Sequence, residues 1–124
     1  AKYVEILVKL LRSKNINDRL IVQSFDERIL KELHMQAPEV IISFLVANLN
    51  SFSVNIESLG FQPSYYTPHY KLLNKKKVRE VHDANIKVGV WTVNKPKDIK
   101  RMINIGVDAI ISDYPDRVNA LLSE

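Results

Sequence analysis

Four apolar runs, each closing on polar residues and followed by an amphipathic segment, constrain this chain more than any other feature of its 124 residues. Val40-Ile41-Ile42-Ser43-Phe44-Leu45-Val46 is nearly continuous, and a strand with that composition suits a sheet covered on both faces, as parallel sheets are. Leu20-Ile21-Val22-Gln23, Ile86 to Val93 and Ala109-Ile110-Ile111-Ser112 are the shorter counterparts. Helical spacing follows three of the runs: Ile29, Leu30 and Leu33 after Leu20–Gln23, Ile99, Met102 and Ile103 after Ile86–Val93, and Val118, Leu121 and Leu122 after Ala109–Ser112. Strand and helix alternate at a length that implies parallel strands joined by right-handed crossovers.

The punctuation supports the same order. A first helix carries Tyr3, Val4, Leu7, Val8, Leu10 and Leu11 and breaks at Asn15-Ile16-Asn17-Asp18. Asp26 and Asn74 stand where N-caps belong, Pro96 and Pro115 sit near first helical turns, and Gly60, Asn85 and Gly106 fall where helices stop. Pro38 separates the second helix from its strand. Ala47 to Gln62 predicts a short helix ended by Gly60, with a brief extended piece around Ser64-Tyr65-Tyr66 before Pro68. The chain reads as a single unit over residues 1–124, with no linker or low-complexity segment. It opens on a helical pattern with neither cap nor initiator Met, the expectation for a piece of something longer.

Composition excludes several classes of function. No window approaches the roughly 18 apolar residues of a membrane-spanning helix, and the start lacks a signal-peptide pattern. A cytoplasmic location is the default, with export left open because the absence of cysteine does not fix the compartment. No cysteine also means no disulfide, thiolate metal site or cysteine nucleophile. The net charge of +4 is uneven: Lys71 to Arg101 holds ten Lys or Arg against Glu80, Asp83 and Asp98. With no Arg-aromatic interleaving of an RNA-binding kind, Lys75-Lys76-Lys77 predicts the solvated first turn of a surface helix rather than a nucleic-acid site.

Polar and aromatic residues collect at one end of the strands, in Ser24-Phe25-Asp26, Ala47-Asn48-Leu49-Asn50, Trp91-Thr92-Val93-Asn94 and Ser112-Asp113-Tyr114-Pro115. In parallel α/β folds that end carries the ligand site, and helix N-termini there favour anions such as phosphate. Singly, Asp26, Asn94 and Asp113 are each expected to be helix caps. Trp91 divides between core filling and a substrate wall. His34 and His82 read as structural, leaving His69, in Pro68-His69-Tyr70, as the one histidine with a candidate role. No paired carboxylates, HExxH, Ser-His-Asp arrangement or glycine-rich phosphate loop is present; the chain has only three glycines.

In order and spacing, Gln23-Ser24-Phe25-Asp26, Val81-His82-Asp83-Ala84-Asn85, Val90-Trp91-Thr92-Val93-Asn94 and Gly106 through Ser112-Asp113-Tyr114-Pro115 resemble the C-terminal half of glycerophosphodiester phosphodiesterases. Ser112 stands for a more usual Thr and Asn85 for a more usual Gly. The resemblance implies the C-terminal half of a TIM (β/α)8 barrel, from an enzyme hydrolysing glycerophosphodiesters to glycerol 3-phosphate and an alcohol. It implies a divalent metal, Mg or Ca, whose ligands are not in this chain, and catalytic His-Arg and Glu-x-Asp motifs that are likewise absent, so the fragment alone is expected to be inactive. Carried over, Trp91 is an aromatic wall beside the glycerol, Phe25 a second apolar contact, and Ser24 and Asn94 rim residues. A (β/α) barrel takes ~250 residues. The expected partners are therefore the substrate and an N-terminal half-barrel, from the same gene product or a second chain, or else another copy. The competing expectations are a doubly wound, receiver-like binding or signalling domain and a non-catalytic, barrel-derived interaction protein.

Overall fold

The computed structural model describes residues 2–14 and 21–123. The expected break at Asn15 to Asp18 and the expected strand start at Leu20 lie outside them. Two compact units are formed, one from the early chain up to Leu45 together with Asn50–Ser64, the other from Val46–Leu49 together with Tyr65 onward.

The first unit begins with α1 (Lys2–Lys14), whose Val4 and Val8 are buried while Ile6 and Leu10 on another face are exposed. Strand β1 (Ile21–Ser24) leads to α2 (Glu27–Gln36), capped by Asp26, whose carboxylate accepts from the Arg28 N–H. Leu30 and Leu33 of α2 are fully buried at the helical spacing seen in sequence. Strand β2 (Ile41–Val46) pairs parallel with β1, from Ile21 opposite Ile41 to Ser24 opposite Phe44. It starts one residue later than its apolar run, because the Val40 N–H closes a turn onto the Ala37 carbonyl. Helix α3 (Phe52–Leu59) is capped by Ser51 and ends at Gly60, whose φ of 82° is left-handed. His34 stacks on Phe61 with ring centroids 4.1 Å apart, the structural role expected of it.

The second unit contains β3 (Tyr65–Pro68), a 3₁₀ turn (Tyr70–Leu72), α4 (Lys75–Asp83), β4 (Lys87–Val90), α5 (Pro96–Ile105), β5 (Ala109–Ile110) and α6 (Pro115–Leu122). Strands β3, β4 and β5 lie side by side in chain order, both pairings parallel, with Tyr65 opposite Lys87 and Gly89 opposite Ala109. This stepwise order is the barrel pattern. Val78 and Val81 of α4, Val88 and Val90 of β4, and Ile99 and Met102 of α5 are buried together with Val93. Asn74 caps α4, Asn85 takes the left-handed conformation after it with φ 60°, and Gly106 does so after α5 with φ 93°.

Gly89 has a different reason to be glycine. A Cβ there would lie 2.7 Å from Thr67 Oγ1 and 2.9 Å from its Cγ2, so β3 and β4 approach too closely for any side chain. Thr67 is itself buried, which leaves it little room to yield.

Two boundary expectations change. Strand β4 stops at Val90 instead of continuing to Val93, and β5 stops at Ile110 rather than Ser112. Beyond these points the backbone groups find separate partners: the Trp91 carbonyl accepts from the Tyr70 N–H and the Val93 N–H donates to the Ile111 carbonyl. Among the described residues, no helix is long and apolar enough to cross a membrane.

Candidate functional site

At the C-terminal ends of β3, β4 and β5, the second unit builds a small polar and aromatic cluster. Trp91 follows β4 directly and forms a single parallel bridge with His69, which follows β3. Their rings meet edge to face, with centroids 4.8 Å apart and planes at 86°, an arrangement aromatic pairs favour. Tyr70 also stacks on His69, with centroids 4.8 Å apart. The backbone of this loop is held from two directions. Tyr70 N–H donates to the Trp91 carbonyl at 3.1 Å, and the Arg101 guanidinium of α5 donates to the Tyr70 and Leu73 carbonyls at 3.3 and 3.4 Å.

Asn94 has a more constrained place than a helix cap. Its Oδ1 accepts from the Asp113 N–H at 2.9 Å and the Ser112 hydroxyl at 3.2 Å, while Nδ2 donates to Asp113 Oδ2 at 2.9 Å. Ser112 Oγ in turn accepts from the Tyr114 N–H at 3.0 Å. The Asn94 carbonyl takes a hydrogen bond from Arg117, whose guanidinium lies 3.9 Å over the Tyr114 ring. Both acceptor positions of the Asn94 amide are thus filled by protein, leaving one N–H of Nδ2 for anything else.

This network corrects the expected caps. The N-caps of α5 and α6 are Lys95 and Tyr114, neither making a side-chain cap bond. Pro96 and Pro115 remove one unsatisfied N–H from each first turn, and Asn94 and Asp113 are drawn to each other instead. The two most specific stretches of the sequence, Trp91 to Asn94 and Ser112 to Pro115, are therefore one interlocked structure. Their separation along the chain conceals this.

Ser24 and Phe25 lie at the C-terminal end of β1 in the first unit. Ser24 Oγ accepts from the Asp26 N–H at 2.9 Å, shaping the turn into α2, and Phe25 is 52% exposed. The Arg28 side chain, hydrogen-bonded to Asp26 at 3.2 and 3.3 Å, holds the Asp26 carboxyl below the usual carboxylate range, with the Arg28 N–H adding to the effect.

His82 sits at the opposite end of the strands. Its Nε2 is 2.7 Å from Asp108 Oδ2, and that same oxygen accepts from the Val88 N–H at 2.8 Å. Asp108 precedes β5, so this pair secures the N-terminal ends of the strands, where barrel residues serve stability. Among the described residues, no group of three or more His, Asp or Glu side chains is placed to hold a metal ion. Among the described residues, the donor set does not fit a metal.

Sequence reading missed the part played by Arg101 and Arg117. It had one usable signal for the His69 loop, a histidine immediately after a strand and proline.

Comparison with known proteins agrees with this geometry. Residues 1–117 match the profile of the glycerophosphoryl diester phosphodiesterase family. A glycerophosphodiester phosphodiesterase from Caldanaerobacter subterraneus is 28% identical over 116 residues, covering 90% of this chain and 46% of that protein. The crystal structure of a glycerophosphodiester phosphodiesterase from Parabacteroides distasonis superposes with a TM-score of 0.82 at 27% identity, over 97% of this chain and 50% of that one. An Oleispira antarctica phosphodiesterase, solved in complex with its product sn-glycerol 3-phosphate, shares the fold with a TM-score of 0.74 at 24% identity, over 85% of this chain and 42% of that one. The chain spans about half the length of the curated relatives it matches. The fold is a half-barrel of parallel strands alternating with helices, and the doubly wound alternative is overturned.

Proposed function

The chain belongs to the glycerophosphoryl diester phosphodiesterase family, and from that premise we propose that it is the C-terminal half of a barrel hydrolysing glycerophosphodiesters to glycerol 3-phosphate and an alcohol. Residues 1–124 act in this reading as one partial domain, inactive alone. The acid, the base and the ligands of a divalent metal come from an N-terminal half, whether part of the same gene product or a second chain. Such a metal would polarise the phosphodiester when bound.

The work of this chain is binding and exclusion of water. The observation that carries the reading is the position of Trp91, directly after a parallel strand at the end where barrel enzymes hold their ligands. Its large apolar surface suits the carbon face of a glycerol unit and displaces water from it. The amide of Asn94, locked onto Asp113 and Ser112, fixes the loop that follows Trp91, so the wall is set before ligand arrives. Phe25 offers a second apolar contact and Ser24 a rim hydroxyl, each from the end of β1.

Trp91 is the chain's only tryptophan, so its fluorescence reports this wall without interference. Titration with sn-glycerol 3-phosphate is expected to shift or quench the emission saturably. Emission unchanged into the millimolar range counts against Trp91 as a ligand wall.

A further inference from the structure

We propose that His69 is a second ligand-contacting residue, donating its Nε2–H to an anionic phosphoryl oxygen of a ligand that rests against Trp91; this deepens the reading of Trp91 as a ligand wall and depends on it.

The tautomer follows from one hydrogen bond. The Lys71 backbone N–H lies 3.2 Å from His69 Nδ1, and a backbone N–H can only donate. Nδ1 therefore accepts, and the neutral ring carries its proton on Nε2. Among the described residues Nε2 has no hydrogen-bond partner. The imidazole is also held still. Tyr70 stacks on it, the Trp91 ring meets it at 86°, and the loop backbone is tied to the Trp91 carbonyl and to Arg101. A fixed donor beside an aromatic wall, at the ligand end of parallel strands, is the arrangement that orients a small polar molecule.

The charge around it selects an anion. Residues 69–79 contain Lys71, Lys75, Lys76, Lys77 and Arg79 with no Asp or Glu, and residues 91–97 contain Lys95 and Lys97 with none. Asp113, in the loop after β5, is hydrogen-bonded to Asn94, and Asp98 and Asp116 lie in the first turns of α5 and α6. A local excess of cations raises the concentration of anionic ligand and disfavours a competing cation. Within the basic span, Lys71 follows His69 by two residues and Lys95 follows Trp91 by four, so two of its cations flank in sequence the residues that bridge β3 to β4.

Two substitutions separate this contact from a role in shaping the loop. In His69→Asn the side-chain Oδ1 takes the place of Nδ1 as acceptor for the Lys71 N–H, while the far donor is lost. In His69→Gln a far N–H is kept and the near acceptor is lost. Thermal unfolding and Trp91 fluorescence are then followed on the 124-residue chain as sn-glycerol 3-phosphate is added, with glycerol as the uncharged control. The expected result is an H69N chain that melts like the unsubstituted chain yet binds glycerol 3-phosphate on the order of tenfold more weakly, the loss of one hydrogen bond to a charged group. H69Q is expected to bind more nearly as the unsubstituted chain does. Binding by H69N equal to that of the unsubstituted chain overturns the His69 contact and leaves the Trp91 wall standing. A lowered melting point with equal binding loss in both variants assigns His69 to loop shape alone and overturns it too. No response in the unsubstituted chain removes the wall reading and the His69 contact together.

Discussion

Gly89 shows how a single residue can be fixed by its neighbour rather than by its own backbone. A Cβ at this position would fall 2.7 Å from Thr67 Oγ1, and Thr67 is buried. Gly89→Ala is expected to destabilise the second unit by about 1–3 kcal/mol, as overpacking does, and a G89A/T67A pair to recover part of the loss, measured by urea unfolding. Asn94 is fixed by partners in another loop. Asn94→Ala strands the Asp113 N–H and the Ser112 hydroxyl, and is expected to cost roughly 1–3 kcal/mol by the same measurement. Asp26 carries a pH dependence. Its carboxyl is held below the usual range chiefly by the Arg28 side chain, so the stability it contributes is present above its unfolded value and lost as pH falls through the folded one. Urea midpoints at pH 5 and pH 3 should therefore fall further apart in the unsubstituted chain than in Asp26→Asn, which keeps a cap acceptor but cannot ionise.

At the scale of elements, the C-terminal ends of helices were the most legible part of the sequence. Gly60, Asn85 and Gly106 all take positive φ, because a helix that stops in the left-handed conformation selects residues tolerating it. Asn85→Ala is expected to lower stability by about 1 kcal/mol and Asn85→Gly to be tolerated, since a Cβ is strained at φ 60° and Asn is less penalised than Ala; differential scanning calorimetry checks both. Buried positions on α2, α4 and α5 followed from spacing alone, as did the two-sided cover of β2. The partners of Asn94 and Asp113 did not. Local sequence makes each a candidate cap, and only the three-dimensional meeting of the loops after β4 and β5 gives them to each other. The ends of β4 and β5 were overestimated for a related reason: apolar side chains continue through Val93 and Ile111, while the ladder has already given way to individual loop hydrogen bonds.

For the molecule as a whole, the surface left over is as informative as the core. Helix α6 has no buried residue, and its Leu122 is 60% exposed despite the apolar pattern that placed it. On α1, Ile6 and Leu10 are exposed, and Ile21 of β1 is 44% exposed. Exposed apolar side chains of this size mark surfaces suited to contact with another chain or segment. The order of strand and helix patterns carried the parallel α/β reading and the family resemblance carried the half-barrel, but the sequence held no sign of the loop packing that presents Trp91. The proposed function has these residues complete a phosphodiesterase whose chemistry lies in an N-terminal half. Its most direct test mixes the chain with the N-terminal half of a family relative, supplies Mg or Ca, and measures release of glycerol 3-phosphate from glycerophosphocholine. Hydrolysis is expected from the mixture and from neither half alone, with a large loss on Trp91→Ala. A stable mixed barrel with no hydrolysis, or halves that do not associate, would contradict it.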